Sequence, residues 1–447
     1  MAVSEKEFLK TCTEQMRCRA MREATWQELA AHIEDQKAAY MQEGMEEAEA
    51  QNLAVKQMGD PVEIGVGLDR VHRPRMDWKT FGVILLLSAL GFCVQLLMRR
   101  QGIGTDQNQF FTYIKSSAAG ITLMCLTCFV DYTVLGKYPR LIWCLMTAAG
   151  MVIGLSSTVI NGGKRYGWFI MLLVVSYGGI VFYYHKQGIW GILKALGWMF
   201  GSYGLILLAA GTAPSGGCAK LWMFGCLVML GFAAVRGWYG KHRWIGIVLL
   251  GAPAFVSIAA AGYLLVFGAN YQAERIRVML SPQKYHAGSG FLLLEVREAF
   301  QNLKLFSAST NLSPDRIPYL AEPENYVMLW IAQNYGLAAG IFVVTVLTLL
   351  AVLTLWGIRR QQNRLGMIVG VGCLFVFFLP VVVNVLMNTG YSWSTSCALP
   401  FLSMSGKENV SLYILMGLLL SVFRNQTSLP EPKAKSGYRL KLVAEKE

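Results

Sequence analysis

About ten apolar runs, each roughly 17 to 25 residues long, occupy the chain between residues 80 and 424. A bilayer core about 30 Å thick takes roughly 20 helical residues to cross, and a backbone that crosses it must satisfy its own polar groups. One long polar segment, residues 268–325, interrupts these runs. The pattern predicts an all-α, polytopic membrane protein with about ten transmembrane helices and one large loop.

Composition supports the same fold class. The mean hydropathy is +0.42, with 54% hydrophobic and only 15% charged residues, so most of the apolar surface must face lipid. Residues 1–76 carry 10 Lys/Arg and 14 Asp/Glu, whereas the rest of the chain carries 30 and 13. The positive excess therefore belongs to loops beside anionic lipid, and no nucleic-acid partner is expected.

The predicted spans set the topology. They cover residues 80–98, 111–130, 140–159, 166–184, 189–211, 219–235, 243–267, 326–357, 366–388 and 408–424. An even number of spans puts both termini on one side, and that side has nine Lys/Arg in its short loops against six on the other. The bias predicts cytoplasmic termini in an inner-membrane-type protein, an extracytoplasmic loop 268–325, and a basic cytoplasmic tail 426–447.

Residues 1–76 form a separate, charged unit ahead of the transmembrane domain 80–425. Helical spacing of its apolar residues predicts about three short helices that end at Gly59-Asp60-Pro61. The stretch HIEDQKAAYMQEGMEEAEAQNLAVKQMGDPVEIG resembles the permease-prefix segment that precedes assorted membrane proteins in Gram-positive bacteria. The resemblance implies a cytoplasmic regulatory or docking module. A solvated helical hairpin without a partner is the alternative.

The cysteines do not indicate a metal site. Cys125 and Cys128 form a CxxC pair, but the pair lies inside an apolar run with no His or second Cys pair at zinc spacing. Helix packing is the expected role of these small residues.

The end of the transmembrane domain carries the sharpest signal. The sequence NVLMNTGYSWSTSCALPFLSMSGKENVSLYILMGLLLSVFR is similar to the end of the SEDS family, the shape, elongation, division and sporulation proteins that include the FtsW and RodA types. Without a gap, the matching positions are Asn384, Met387, Thr389, Gly390, Thr395, Leu399, Pro400, Phe401, Ser403 and Gly406.

Three further stretches resemble the same family. Residues 161–166, NGGKRY, resemble its outer-loop Asn-Gly-Ala-Lys-Arg-Trp, and Arg275-Ile276 with Ser281-Pro282 resemble the start of its large outer loop. Residues 331–336, IAQNYG, resemble the segment that opens its eighth helix. The resemblance covers roughly residues 80–425.

The resemblance implies a peptidoglycan glycosyltransferase that joins the sugars of lipid II, an undecaprenyl-diphosphate-linked disaccharide peptide, beside a transpeptidase of the class B penicillin-binding type. Such a reaction needs a carboxylate to take the proton from the acceptor hydroxyl. It also needs positive charge, from side chains or a divalent cation, to balance the departing diphosphate.

The chain departs from the family at the expected catalytic aspartate. A gap-free alignment back from Ile331 puts Asn325 at that position, and an amide cannot accept the proton. Glu324 and Glu322 are the nearby carboxylates. Three interpretations stay open: rescue by Glu324 or Glu322, loss of polymerase activity, or a misplaced alignment.

Several residues are predicted to bind the diphosphate substrate. They are Lys164, Arg165, Arg275, Arg277, Lys407 and Ser403. For Lys407 a solvated ion pair with Glu408 is the alternative, since these charges stand where the family has small hydroxyl residues.

The long loop contains one amphipathic segment, residues 291–306. Leu292, Val296, Ala299, Phe300 and Leu303 share one helical face. The segment is too polar to span a membrane. It is predicted to pack on the ends of the spans, and a lid over a lipid groove is the alternative.

Three functions from different classes remain open on the sequence. They are a SEDS glycosyltransferase, a non-catalytic scaffold of division, elongation or sporulation derived from that family, and a transporter or permease for a lipid-linked substrate. Charged residues buried in mid-span would favour transport, and few are visible.

Overall fold

The structure is a computed structural model of the 447-residue chain. It describes residues 4–17, 19–102, 107–157, 159–160, 163–164, 166–211, 216–241, 243–267, 270–309, 324–391 and 397–426.

The N-terminal unit contains four helices. They are α1 Glu5–Glu14, α2 Arg19–Gln42, α3 Glu47–Gln57 and α4 Pro61–His72. Phe8, Leu9 and Cys12 of α1 pack with Ile33 of α2 and Ala54 of α3 in a small hydrophobic core.

The three helices predicted to end at Gly59-Asp60-Pro61 are confirmed as α1 to α3, and a fourth helix that was not predicted, α4, starts at Pro61. Gly59 turns the chain at a positive φ of 93°. The Asp60 carboxylate then accepts from the Val62 N–H, and proline occupies the first turn of α4. Aspartate followed by proline is a strong helix start, so the same residues that end α3 begin α4.

The rest of the described chain is a bundle of long helices. They are α5 Trp78–Arg100, α6 Gln107–Phe129, the short α7 Val134–Lys137, α8 Pro139–Ser156, α9 Gly167–Tyr184, α10 Gly188–Ala210, α11 Gly216–Val235, α12 Arg243–Phe267, α16 Leu337–Arg360, α17 Arg364–Asn388 and α18 Gly406–Arg424. Between α12 and α16 lie α13 Asn270–Leu280, a 3-10 helix Pro282–Tyr285, α14 Phe291–Gln301 and α15 Val327–Tyr335. Two-residue strands, β1 Val159–Ile160 and β2 Gly163–Lys164, pair antiparallel between α8 and α9.

Nine of these helices are long and apolar enough to cross a bilayer, counted over the described residues. They are α5, α8 to α12, and α16 to α18. α6 is 23 residues long and more polar, and it packs along α18, where the Thr127 hydroxyl donates to the Ile414 carbonyl. The all-α fold with about ten transmembrane helices is therefore confirmed.

The predicted span 326–357 was wrong as one continuous helix, because Gly336 divides it into α15 and α16. Gly336 has φ 91° and ψ 158°, a backbone conformation that is almost restricted to glycine. The break frees the first N–H groups of α16, and those of Leu337 and Ala338 donate to the carbonyls of Lys304 and Leu305. The segment of the long loop just after α14 is thus fixed to the start of a transmembrane helix.

Two ends of the bundle are distinguished by their residues. We call one the terminal face, where the Arg75 N–H donates to the Arg424 carbonyl and where α8 and α10 begin. We call the other the site face, where α17 ends and α18 begins. The chain enters the bundle after Arg75 and leaves it at Arg424, both at the terminal face, which agrees with an even number of spans.

Glycine allows the closest helix approach, between α6 and α18. A Cβ on Gly417 would overlap the Thr127 hydroxyl and the Met124 carbonyl. We therefore expect Gly417→Ala to force these helices apart and to lower the free energy of unfolding by about 1–3 kcal/mol. The measurement is the melting temperature of the detergent-purified full chain.

Gly251→Ala in α12 is the matched control, since nothing lies within 4 Å of a Cβ there. Equal melting temperatures for the two variants would contradict the close packing of α6 on α18.

Candidate functional site

The turn between α17 and α18 is built from buried backbone that neighbouring helices hold by hydrogen bonds. Phe401 has a positive φ of 66°. Its carbonyl accepts from the Tyr113 hydroxyl at 3.0 Å, and the Leu402 carbonyl accepts from the Gln95 amide at 2.5 Å. Because a non-glycine residue in this conformation is strained, these bonds are needed to hold the turn in place.

Ser403 belongs to this turn and is fully buried. Its hydroxyl oxygen accepts from the Leu399 N–H at 2.7 Å, and its carbonyl accepts from the Asn409 amide at 3.0 Å. The hydroxyl is therefore enclosed and used by the backbone in this conformation, and contact of Ser403 with substrate stays a prediction.

Two asparagines of α17 hold the end of the long loop. The Asn384 amide donates to the Asn325 carbonyl at 3.1 Å and to the Cys397 carbonyl at 2.6 Å. The Asn388 amide donates to the same Asn325 carbonyl at 3.2 Å, and its oxygen accepts from the Leu329 N–H at 2.9 Å. We call Asn384 and Asn388 the amide clamp. It joins α17, the first turn of α15 and the start of the 397–405 turn.

The amphipathic helix α14 packs onto this cluster. Val296 and Ala299 are buried against Tyr326, Leu329 and Met387, and Leu292, Phe300 and Leu303 pack around them. The predicted apolar face is therefore confirmed, and the helix packs on the ends of the spans. Arg297, on the same helix, donates from Nε to the Gly390 carbonyl at 2.8 Å and lies 4.7 Å from the centre of the Tyr391 ring.

The structure separates the two described candidates for the catalytic carboxylate position. Asn325 is only 7% exposed, and the clamp holds its carbonyl. Glu324, one residue earlier, is exposed at the start of the described segment 324–391. Glu322 lies outside the described residues. The carboxylate that reaches the surface beside α15 is therefore that of Glu324.

The predicted cations lie in three places. Arg275 and Arg277 are exposed on α13, and Lys407 is exposed in the first turn of α18. Lys164 belongs to β2 by its backbone, whereas Arg165 lies outside the described residues.

The first residues of α9 bring the hairpin close to the start of α18. A Cβ on Gly167 would come within 3.2 Å of the Glu408 carboxylate and 3.5 Å of the Cys218 sulfur. Glu408 accepts from the Ser405 hydroxyl at 2.7 Å, so its carboxylate belongs to the start of α18. The segment after Lys164 and the segment around Lys407 are thus neighbours on the site face.

Cys397 is an inert thiol in this cluster. Burial, and then the nearby carboxylate of Glu408, raise the pKa of the Cys397 thiol to about 12. A thiol with that pKa stays protonated at neutral pH, so it is not a nucleophile.

The described donor set does not form a metal site. No three His, Cys, Asp or Glu side chains come together within the part of the chain that the structure describes. The divalent cation suggested by the chemistry stays a prediction, and we derive no step through it.

Sequence reasoning missed Asn388, Gln95, Tyr113 and Arg297. Asn388 could have been found, since it follows Asn384 by four residues and therefore lies on the same face of α17. Gln95, Tyr113 and Arg297 carry no such signal, because their partners are backbone carbonyls about 90 to 300 residues away in sequence.

The bundle of bilayer-length helices and its site face define a class, that of polytopic membrane proteins with a surface site at one end of the helices. Residues 75–428 match the family model described as cell cycle protein, that of FtsW, RodA and SpoVE. The chain belongs to this family.

Known proteins resemble parts of the chain. Stage V sporulation protein E of Bacillus subtilis strain 168 is 28% identical over 239 residues, which are 52% of this chain and 60% of that protein. The peptidoglycan glycosyltransferase MrdB of Escherichia coli K12 is 23% identical over 189 residues, 42% of this chain and 50% of that protein. The chain thus spans between half and 60% of the length of these relatives.

The fold also matches a solved structure. One chain of a peptidoglycan synthase complex, studied for the structural coordination of polymerization and crosslinking, superposes with a TM-score of 0.62 at 18% identity. The match covers 78% of this chain and 98% of that one. It shows that the helical bundle is shared.

The amide clamp generates a local prediction. Asn388→Ala removes one donor from the Asn325 carbonyl and the acceptor of the Leu329 N–H. Buried polar groups left without partners cost about 1–3 kcal/mol each, so amides 326–330 are expected to exchange hydrogen about 10- to 100-fold faster. Hydrogen exchange followed by mass spectrometry measures this rate.

Asn334→Ala is the control on the same helix, since the Asn334 amide donates to the Trp330 carbonyl one turn away and does not belong to the clamp. The clamp would be refuted if both variants left the exchange of 326–330 at the native rate.

Proposed function

We propose that this protein is a glycosyltransferase that polymerises lipid II in peptidoglycan synthesis for division, elongation or sporulation. The observation that carries the proposal is the match of residues 75–428 to the family of FtsW, RodA and SpoVE. A relative named peptidoglycan glycosyltransferase supports the activity, and the exposed acidic and basic side chains of the site face support the chemistry.

Glu324 is the proposed acid/base group. A sugar hydroxyl is a poor nucleophile, and a carboxylate that takes its proton in the transition state is worth about 10²- to 10⁴-fold in rate. Glu324 is exposed, whereas the amide of Asn325 cannot take a proton. With its carbonyl held by the amide clamp, Asn325 fixes the backbone from which Glu324 projects.

Positive charge for the leaving diphosphate would come from exposed cations. Arg275 and Arg277 lie on α13, and Lys407 lies on α18. Lys164 and Arg165 belong to the segment that precedes Gly167, which adjoins Glu408. Cations at the position of a developing diphosphate charge lower the barrier in a water-poor site.

A non-catalytic scaffold of the cell-wall machinery is the second candidate function. Asn325 favours it, because the residue expected to carry the reaction is an amide. The two functions differ in one measurement, the formation of glycan product by the purified protein.

The decisive variants are at Glu324 and Asn325. We expect the native protein to polymerise labelled lipid II, Glu324→Gln to reduce the rate about 10²- to 10⁴-fold, and Asn325→Asp to add little. Gel analysis of the glycan product measures this. Glu298→Gln on the exposed side of α14 is the control and should leave the rate unchanged.

If the native protein forms no glycan product although the cell still needs the protein, the scaffold function would be favoured. If Asn325→Asp then gains product, only the acid/base group is missing from the native protein. Full activity in Glu324→Gln, in Glu322→Gln and in the double variant would refute a carboxylate at this position.

The proposed partner is a class B penicillin-binding transpeptidase. The solved neighbour belongs to a complex that couples polymerization with crosslinking, which supports a partner of this kind. The proposed location is the bacterial plasma membrane, with the terminal face and the tail 426–447 in the cytoplasm. The nine-to-six bias of Lys/Arg supports this orientation.

Topology is tested from outside the cell. Ala287 is exposed in the turn before α14. In a background without native cysteines, Ala287→Cys should react with an impermeant maleimide in intact cells, whereas a cysteine at Lys241 should react only after permeabilisation. The reverse pattern would overturn the proposed orientation and place the site face in the cytoplasm.

A further inference from the structure

A cavity of about 490 Å³ lies between α8 and α10. One wall is formed by Trp143, Thr147 and Met151, which follow one another at intervals of four residues along α8. The other wall is formed by α10, from Lys194 to Leu205. Cys144 and Gly201 in its lining are exposed, so the cavity opens on the lipid-facing surface.

The floor of this groove is left open by glycine. Gly197 and Gly201 line it one turn apart on α10, and nothing lies within 4 Å of a Cβ at either position. These glycines therefore do not serve close helix packing, unlike Gly417, where a Cβ would overlap the neighbouring helix. The space above them is unfilled by the described side chains.

Two cations lie toward the terminal face: Lys194 lines the groove, and Arg140 belongs to the first turn of α8, three residues before Trp143. The Arg140 guanidinium lies 4.5 Å from the centre of the Tyr183 ring and 5.8 Å from that of Tyr184. The Lys194 ammonium lies 5.8 Å from the centre of the same Tyr184 ring. Neither cation lies within 4.0 Å of a carboxylate in the described part of the chain, where Lys137 pairs with Asp131 instead.

The Lys194 side chain has the conformation of a lysine that reaches toward the membrane–water interface. Its stem lines the groove, and its ammonium donates back along the helix to the Gln187 amide oxygen at 2.8 Å. Gln187 precedes the first turn of α10, so the charge is directed toward the helix end. A long basic side chain that reaches for the membrane surface in this way keeps its head at the level of lipid phosphates.

The groove has the length of one lipid chain. From Lys194 to Leu205 the α10 wall rises about 16 Å at 1.5 Å per residue, which is about half of a 30 Å hydrocarbon core. An apolar groove of this length with cations toward its terminal-face end matches an anionic glycerophospholipid in both charge and length.

We propose that this groove binds an anionic glycerophospholipid of the leaflet at the terminal face, with one acyl chain along Gly197 and Gly201 and the phosphate between Arg140 and Lys194. The site is distinct from the proposed lipid II site, which belongs to the site face. It does not depend on the proposed enzymatic activity.

Native mass spectrometry of the detergent-purified full chain tests the proposal. The probes are dioleoylphosphatidylglycerol and dioleoylphosphatidylcholine, which have the same chains and differ in headgroup charge. We expect the anionic lipid to be retained more strongly. Each of Lys194→Gln and Arg140→Gln should weaken its retention roughly fivefold, the effect of one basic residue at an anionic lipid surface.

Variants that fill the groove with a larger side chain test the acyl-chain contact separately from the headgroup charge. Gly201→Leu and Gly197→Leu should abolish retention of the anionic lipid, whereas Gly204→Leu should leave it at the native level. Gly204 lies on the same helix with equally open space and does not line the groove. The melting temperature of each variant shows that it is folded.

Three outcomes of the lipid-retention measurements would overturn the proposal. They are equal retention of the two lipids, unchanged retention in Gly201→Leu and Gly197→Leu, and a loss in Gly204→Leu as large as that in Gly201→Leu. A dimer that appears in the native protein and disappears in Gly201→Leu would also overturn it, since a second copy would then fill the groove.

Discussion

The rest of the site depends on two side-chain amides inside an apolar bundle. Asn384 and Asn388 are buried on one face of α17, and between them they bind the Asn325 and Cys397 carbonyls and the Leu329 N–H. Because these asparagines are buried, the backbone groups that they bind would be costly to leave unpaired. The amide clamp therefore joins three segments far apart in sequence, and α14 covers it with Val296 and Ala299.

This constraint bears on the proposal that Asn325 stands at the family's catalytic position. The backbone of Asn325 is held at the surface of α17 whichever side chain it carries, because the clamp binds its carbonyl. A change of side chain there can remove an acid/base group while the loop keeps its position. Glu324 then becomes the exposed carboxylate at the start of α15, and the proposed enzyme and the proposed scaffold can share one fold.

The sequence predicted those features that follow from periodicity and length. Most of the spans and the apolar face of α14 come from local spacing, and the structure confirms them. The importance of the 384–406 segment came instead from its resemblance to the family. The break at Gly336, the buried hydroxyl of Ser403 and the helix that begins at Pro61 were missed. Each depends on a hydrogen bond or a backbone conformation that the hydropathy pattern does not reveal. The groove between α8 and α10 was also invisible, since glycines that open space and glycines that close it look alike in a sequence.

The central claim is that the amide clamp acts through Glu324, and a double-mutant cycle tests it most directly. The lipid II polymerisation rate would be measured for the native protein, Asn388→Ala, Glu324→Gln and the double variant. If the clamp positions Glu324, the double variant will be no slower than Glu324→Gln alone, because the positioned group is already gone. Rate losses that multiply in the double variant would contradict the account, since the two residues would then act independently.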